Sequence, residues 1–412
     1  MKPPAFAIAL FSATLLIPVM GLADSKTPTI EELWQIIQAQ QEEIAALKEQ
    51  QQNTDKKVTA ADEKAEAAVV AVESGATSSS SGGWADRTTL GGYGEMHYNN
   101  LNGNGGAEDK EEIDLHRFVL FFGHEFNDDV RFFSEFEIEH ALSTGDGSSD
   151  GEVEVEQAFV EIDINDQHLA RAGVALLPVG ILNETHEPPT FYGVERNPVE
   201  KNIIPATWWA GGIGLSGQLA PGWSYDAVLH EGLNTSAADK YKPRSGRQKT
   251  SRADAMDLAA TARLKWTGIP GTEIAGTIQY QSDITQSNEP GAGSAMLYEV
   301  HADIERGPFG LRVLYAMWDL DGSDPASIGA DEQTGFYIEP SWKISSGLGV
   351  FARFNQWDNA AGTSSTSEKQ QWDFGVNWWP HEDVVFKADY QIQDNEDGSE
   401  QDGFNLGVGY QF

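Results

Sequence analysis

Four histidines are followed directly by glutamate, at His124, His186, His230 and His381. That pair opens the H-E-x-x-H zinc helix, but the chemistry needs a second histidine three residues after the glutamate, and none of the four has one. Gly212-Ile213-Gly214-Leu215-Ser216-Gly217 spells G-x-G-x-x-G, yet Pro221-Gly222 stands where a pyrophosphate-binding helix would have to begin. That run reads as a glycine-rich strand. Acidic stretches at 146–150, 319–324 and 394–400 lack the combination of a sixth-position glycine and a twelfth-position glutamate that an EF-hand uses, and read as solvated loops. The chain has no cysteine, which removes thiolate zinc sites, iron–sulfur clusters and cysteine nucleophiles together. The expectation is therefore no catalytic residue, no metal site and no cofactor.

Charge is more informative. With 27 basic and 64 acidic residues in 412, the net charge is −37, which argues against nucleic acid as a partner. Six of the 27 basic residues, Lys240, Lys242, Arg244, Arg247, Lys249 and Arg252, nevertheless fall in one short stretch. Such a stretch can funnel anionic solutes to a mouth, or bind the phosphates of lipopolysaccharide or a neighbouring subunit.

The elements that would position these charges follow from periodicity. Met1-Lys2, an apolar run at 5–19 and Gly21-Leu22-Ala23 make residues 1–23 a signal peptide cleaved after Ala23, and the apolar run is too short to span a membrane as a helix. Residues 24–74 carry heptads, with Ile30, Ile37 and Ile44 at one core position and Leu33 and Leu47 at the other, so a periplasmic coiled coil is expected. A glycine and serine linker, 75–86, follows. From 87 to 412 the period becomes two, as in Phe404, Leu406, Val408, Tyr410 and Phe412 against Asn405, Gly407, Gly409 and Gln411.

Sixteen such segments can be counted, from 87–98 to 402–412, one of them at 253–266 with Met256 and Leu258 on its apolar parity. Short turns alternate with eight longer loops, and this order with an even strand count is the signature of a bacterial outer-membrane barrel with both termini in the periplasm. The fold class is an all-β transmembrane barrel of 16 antiparallel strands with an N-terminal α-helical coiled coil. Its apolar parity faces lipid, with Phe118, Phe122, Trp266, Tyr280, Trp342, Trp372, Trp378 and Phe412 suited to the aromatic girdles, and its polar parity faces a lumen wide enough for water.

Two stretches carry a resemblance. His116-Arg117-Phe118-Val119-Leu120-Phe121-Phe122-Gly123, then Glu156-Gln157-Ala158-Phe159-Val160-Glu161 leading to Arg171-Ala172-Gly173 and Pro178-Val179-Gly180, resemble the phosphate-selective porin O and P family, and within it the coiled-coil-bearing DcaP type. The resemblance covers about 87–412. It implies a homotrimer in the outer membrane, in contact with its lipid and lipopolysaccharide, that passes small solutes or ions through barrels each narrowed by an inward loop after the fifth strand. Here that loop is 177–211, with Glu195, Arg196 and Lys201 set against the wall residues Arg117, Arg131, Glu135 and Arg171 as a constriction filtering by size and field. The sequence departs from an arginine ladder, because Glu137, Glu161, Asp226, Glu299, Asp373 and Asp389 share the lumen parity with Arg263, Arg312, Arg353 and Lys387. Phosphate selectivity is thus in question. A barrel enzyme and a coiled-coil envelope tether or adhesin are the alternatives.

Overall fold

A computed structural model describes residues 83–141, 151–363 and 367–412. The signal peptide, the coiled coil, residues 75–82 of the linker and the acidic stretch at 146–150 lie outside the described residues. Trp84–Arg87 forms a single 3-10 turn that leads into the first strand.

Sixteen strands follow: β1 (Thr88–Asn104), β2 (Lys110–Glu125), β3 (Val130–Glu139), β4 (Val153–Asn165), β5 (His168–Leu176), β6 (Trp209–Ala220), β7 (Trp223–His230) and β8 (Ala259–Trp266), then β9 (Thr272–Gln281), β10 (Ala295–Arg306), β11 (Phe309–Leu320), β12 (Glu332–Ser345), β13 (Leu348–Asp358), β14 (Lys369–His381), β15 (Val384–Asn395) and β16 (Glu400–Gln411). Each pairs antiparallel with its sequence neighbours, and β1 pairs with β16, so the sheet closes on itself. The closing register runs from Tyr93 opposite Gln411 to Asn104 opposite Glu400, and the Phe412 N–H adds a bond of 2.9 Å to the Gly92 carbonyl. Closure leaves no unpaired strand edge, which a lipid environment requires. The turns at one end are short, and Gly222 and Gly307 make two of them by adopting φ of +77° and +59°, a region costly for any residue with a Cβ.

The alternation assigns the faces. On β13, Gly349, Phe351, Arg353, Asn355 and Trp357 are buried, and the residues between them are only half-buried. The other parity of the barrel carries the exposed apolar residues, including Tyr280, Trp342, Trp372, Trp378 and Phe412.

Three expectations need correction. The eighth strand is shorter than the pattern suggested: β8 starts at Ala259, and Met256 and Leu258 sit exposed in the preceding loop, where Asp257 accepts from Ser282 and Ser287. The loops at 105–109 and 396–399 are short, because β1, β2, β15 and β16 continue past the predicted segments. Finally, the lumen parity is not uniformly polar. Leu297 on β10 and Leu314, Ala316 and Trp318 on β11 point inward and form a core with Val179, Ile181, Val199, Ile203 and Trp208 of the segment after β5. The sequence signal was present in Leu311-Arg312-Val313-Leu314-Tyr315-Ala316-Met317-Trp318, which is apolar on both parities, as expected of a strand covered on both faces.

Candidate pore-lining site

The segment between β5 and β6, L3 (177–208), is hydrogen-bonded to inward side chains around much of the barrel. The carbonyls of Pro178, Pro189, Phe191 and Tyr192 accept from Thr277 at 3.1 Å, Trp379 at 3.3 Å, Asn377 at 3.0 Å and Arg353 at 3.3 Å, and the Val194 N–H donates to Asp389 at 2.6 Å. L3 is also fastened to itself. The buried Glu200 carboxylate accepts from the N–H groups of Ile181 and Leu182 at 2.6 and 2.9 Å, and Asn183 bridges Leu177 and Trp208. Buried loop backbone must find partners inside the protein, and these side chains supply them.

Further round the same wall, on β1 beside β16, His97 Nδ1 and Asn99 Nδ2 each lie 3.2 Å from Glu195 of L3. His97 Nε2 is 3.2 Å from Glu95, whose other oxygen is 2.8 Å from Arg117 on β2. The basic stretch lies in L4 (231–258) and divides in two. Arg244 donates to the Ala206 carbonyl at 2.7 Å and Arg247 to the Thr207 carbonyl, while Arg196 of L3 donates to the Thr207 hydroxyl. Lys249 meets Glu152 and Glu154 and, with Arg247, lies 5.7 Å from the Trp209 ring centre. Lys240, Lys242 and Arg252 are exposed.

L3, L4 and β1 to β4 thereby line a cavity of about 510 Å³ with the cations Arg117, Arg196, Lys201, Arg244, Arg247 and Lys249, beside His97 and the carboxylates Glu95, Glu112, Asp114, Glu139, Glu154, Glu156 and Glu195. Burial first, and then the like charges of Arg247 and Arg196, pull the Arg244 guanidinium down to about 9. It stays charged at neutral pH, but in surroundings that an anion would relieve.

Of the residues predicted from sequence, Arg117, Glu195, Arg196 and Lys201 come together here, joined by half of the basic stretch. Arg131 and Arg171 do not. Arg131 forks onto Asp163 at 2.7 and 2.8 Å and reaches Glu161 at 2.6 Å, and Arg171 shares Glu161 at 2.9 Å while lying over the Phe159 ring. Glu135 is buried beside His186 and Gln157. The other wall arginines are paired as well: Arg263 with Asp226 and Glu184, Arg312 with Asp303, and Arg353 with Asp373 and Glu339. Sequence reasoning missed Glu95, His97 and Asn99, although their alternation on β1 already set them on the inward parity.

Comparisons with known proteins agree with the fold. A protein of Aquifex aeolicus (strain VF5), described as uncharacterized, is 31% identical over 354 residues, covering 79% of this chain and 80% of its own. Among solved structures, the outer-membrane channel DcaP of Acinetobacter baumannii matches with a TM-score of 0.55 at 15% identity, over 79% of this chain and 97% of DcaP. An anion-selective porin from Comamonas acidovorans matches with a TM-score of 0.56 at 11% identity, over 79% and 99%. The model of the family phosphate-selective porin O and P matches residues 89–412. The chain belongs to that family, and is an outer-membrane porin channel.

Proposed function

We propose that this porin passes small hydrophilic solutes passively through a lumen constricted by L3 and L4, with a preference for small anions set at their shared cavity. One observation carries the preference. Arg196, Lys201, Arg244 and Arg247 have no carboxylate oxygen within 4.0 Å among the described residues, whereas each arginine on the inward face of the strands has one. Paired wall charges largely cancel, and the unpaired loop cations keep a positive field at the narrowest part of the path. Phosphate is one anion among others on this reading, since no ladder of free arginines continues along the wall.

Two further parts of the reading rest on topology and likeness. OmpT of Vibrio cholerae, solved in a trimer form, matches with a TM-score of 0.51 at 10% identity over 79% of this chain, which supports a homotrimer. The chain enters β1 from the end of the barrel that carries the short turns, the periplasmic end of such barrels, which supports reading the heptads at 24–74 as periplasmic. Lys240, Lys242 and Arg252 are left to meet lipopolysaccharide phosphates.

Reversal potential across a planar bilayer in a potassium chloride gradient tests the preference. The native channel should favour chloride, and the variant R196Q/R244Q/R247Q should lose that preference or invert it. A native channel selective for potassium would overturn the proposal.

A further inference from the structure

His186, left without a role because no second histidine completes its motif, is buried beside two carboxylates of the barrel wall. It is 2% exposed, and its Nδ1 lies 3.1 Å from the Asn183 carbonyl, to which only a protonated nitrogen can donate. In the neutral ring the Nε2 lone pair therefore points away from Asn183, and it points at two glutamates. Glu135 Oε1 is 3.5 Å away and Glu156 Oε2 is 3.8 Å away, both too far for a good hydrogen bond. Nε2 and both facing carboxylate oxygens are buried without any hydrogen-bond partner.

Glu135 and Glu156 are 1% and 2% exposed, and Glu137 beside them is 0% exposed. The guanidinium ion-paired within this group, Arg117, reaches Glu137 at 3.4 Å and is shared with Glu95. Buried carboxylates facing an imidazole lone pair repel one another unless a proton is taken up or a cation sits between them, and a cation would use all three vacant donor atoms at once.

We propose that His186, Glu135 and Glu156 bind one divalent transition-metal cation, zinc foremost, which ties L3 to β3 and β4. Zinc holds nitrogen and oxygen ligands at about 2.0–2.2 Å, so tetrahedral ligands lie roughly 3.3–3.6 Å apart. The three donor atoms lie within 4.8 Å of one another, and the His186 to Glu135 separation already equals such an edge. Two carboxylates neutralise the ion, which suits a buried wall. The supporting contacts are in place too: the Asn183 carbonyl fixes the tautomer that presents Nε2, and Gln157 donates to the far oxygen of Glu135 at 2.7 Å. Glu156 also lines the pore cavity, which gives the ion a route from solvent.

A second cluster shows the contrast. His301 lies 2.7 Å from Glu299 and 3.2 Å from Glu273, so both of its ring nitrogens already have a carboxylate at hydrogen-bond distance, and it leaves no vacant lone pair to a metal. The ligand set also favours zinc over calcium or magnesium, which take oxygen donors almost exclusively.

The test is calorimetric titration of zinc chloride into the folded full-length protein in detergent, after chelator treatment and removal of the chelator. One saturable site per chain at micromolar affinity or tighter is expected. His186→Ala and Glu135→Gln should weaken it at least tenfold, and Glu273→Gln, at the His301 cluster, should leave it intact. Absence of a saturable site in the native protein overturns the proposal, whether or not the variants fold. Uptake unchanged by His186→Ala, or calcium binding as tightly as zinc, overturns it equally.

Discussion

Arg353 is 3% exposed, with Asp373 at 3.0 Å and Glu339 at 3.1 Å, and Asn355 donates to the same Asp373 at 2.9 Å. A pair like this adds little over a well-packed apolar substitute, but removing one partner leaves charge buried without compensation, at a cost of about 3–5 kcal/mol. Arg353→Met should therefore lower the temperature at which the folded barrel is lost on heated electrophoresis. Adding Glu339→Gln and Asp373→Asn should restore most of that loss. An equally unstable triple variant would show that volume, not charge, sets the effect. The inward parity of Arg353 and Asp373 was legible in the sequence, because alternation fixes the face of every strand residue. Their pairing was not, since it depends on register, Arg353 opposite Asp373 across β13 and β14, and register is decided by turn geometry and closure together. The pairing of Arg131 and Arg171 on the wall, away from the cavity, has the same origin. Their neighbours across the sheet, Glu161 and Asp163, come from a strand that the sequence could not align with them.

L3 makes the corresponding point for elements. Its existence and bounds were nearly readable, since β5 and β6 are periodic and the stretch between them is not. Its packing was hidden, because the surface that receives it is built from scattered positions on β1, β3 and β9 to β16 that alternate like any others. Two glycines show how close the fit is. A Cβ on Gly335 would come within 2.7 Å of Val199, and one on Gly409 within 2.2 Å of Pro188. Both approaches are possible only because the strand offers bare backbone there. Gly409 has an ordinary strand conformation, so Gly409→Val should leave β16 paired and the barrel assembled. The added side chain should instead push the Pro188 segment of L3 off the wall, with an overpacking cost of about 1–3 kcal/mol. Single-channel conductance is expected to fall in this variant, because the displaced segment moves from the wall into the lumen. Unchanged conductance in a correctly folded Gly409→Val barrel would mean that L3 does not limit the current.

For the whole molecule, the charge of −37 and the modest 40% hydrophobic content are reconciled by closure. One face of each strand must suit lipid, the other lines a lumen filled partly by water and partly by L3, and most acids are left to loops and the inward wall. Composition alone therefore resembles neither a helical membrane protein nor a typical compact core, and periodicity was needed to separate the two faces. Because β1 pairs with β16 within one chain, the lumen is bounded by a single polypeptide and no wall of it is lent by a neighbour. An assembly of three such chains holds three independent water paths in parallel, each with its own L3 and its own loop cations. In planar bilayers, insertion of one assembly should then raise the current by a fixed increment that closes in three equal steps under voltage, with the same ion preference at each level. A pore formed between chains would close in one step instead. If the remaining levels changed their ion preference as steps were lost, the selectivity would have to lie in surfaces shared between chains rather than at Arg196, Arg244 and Arg247 within each.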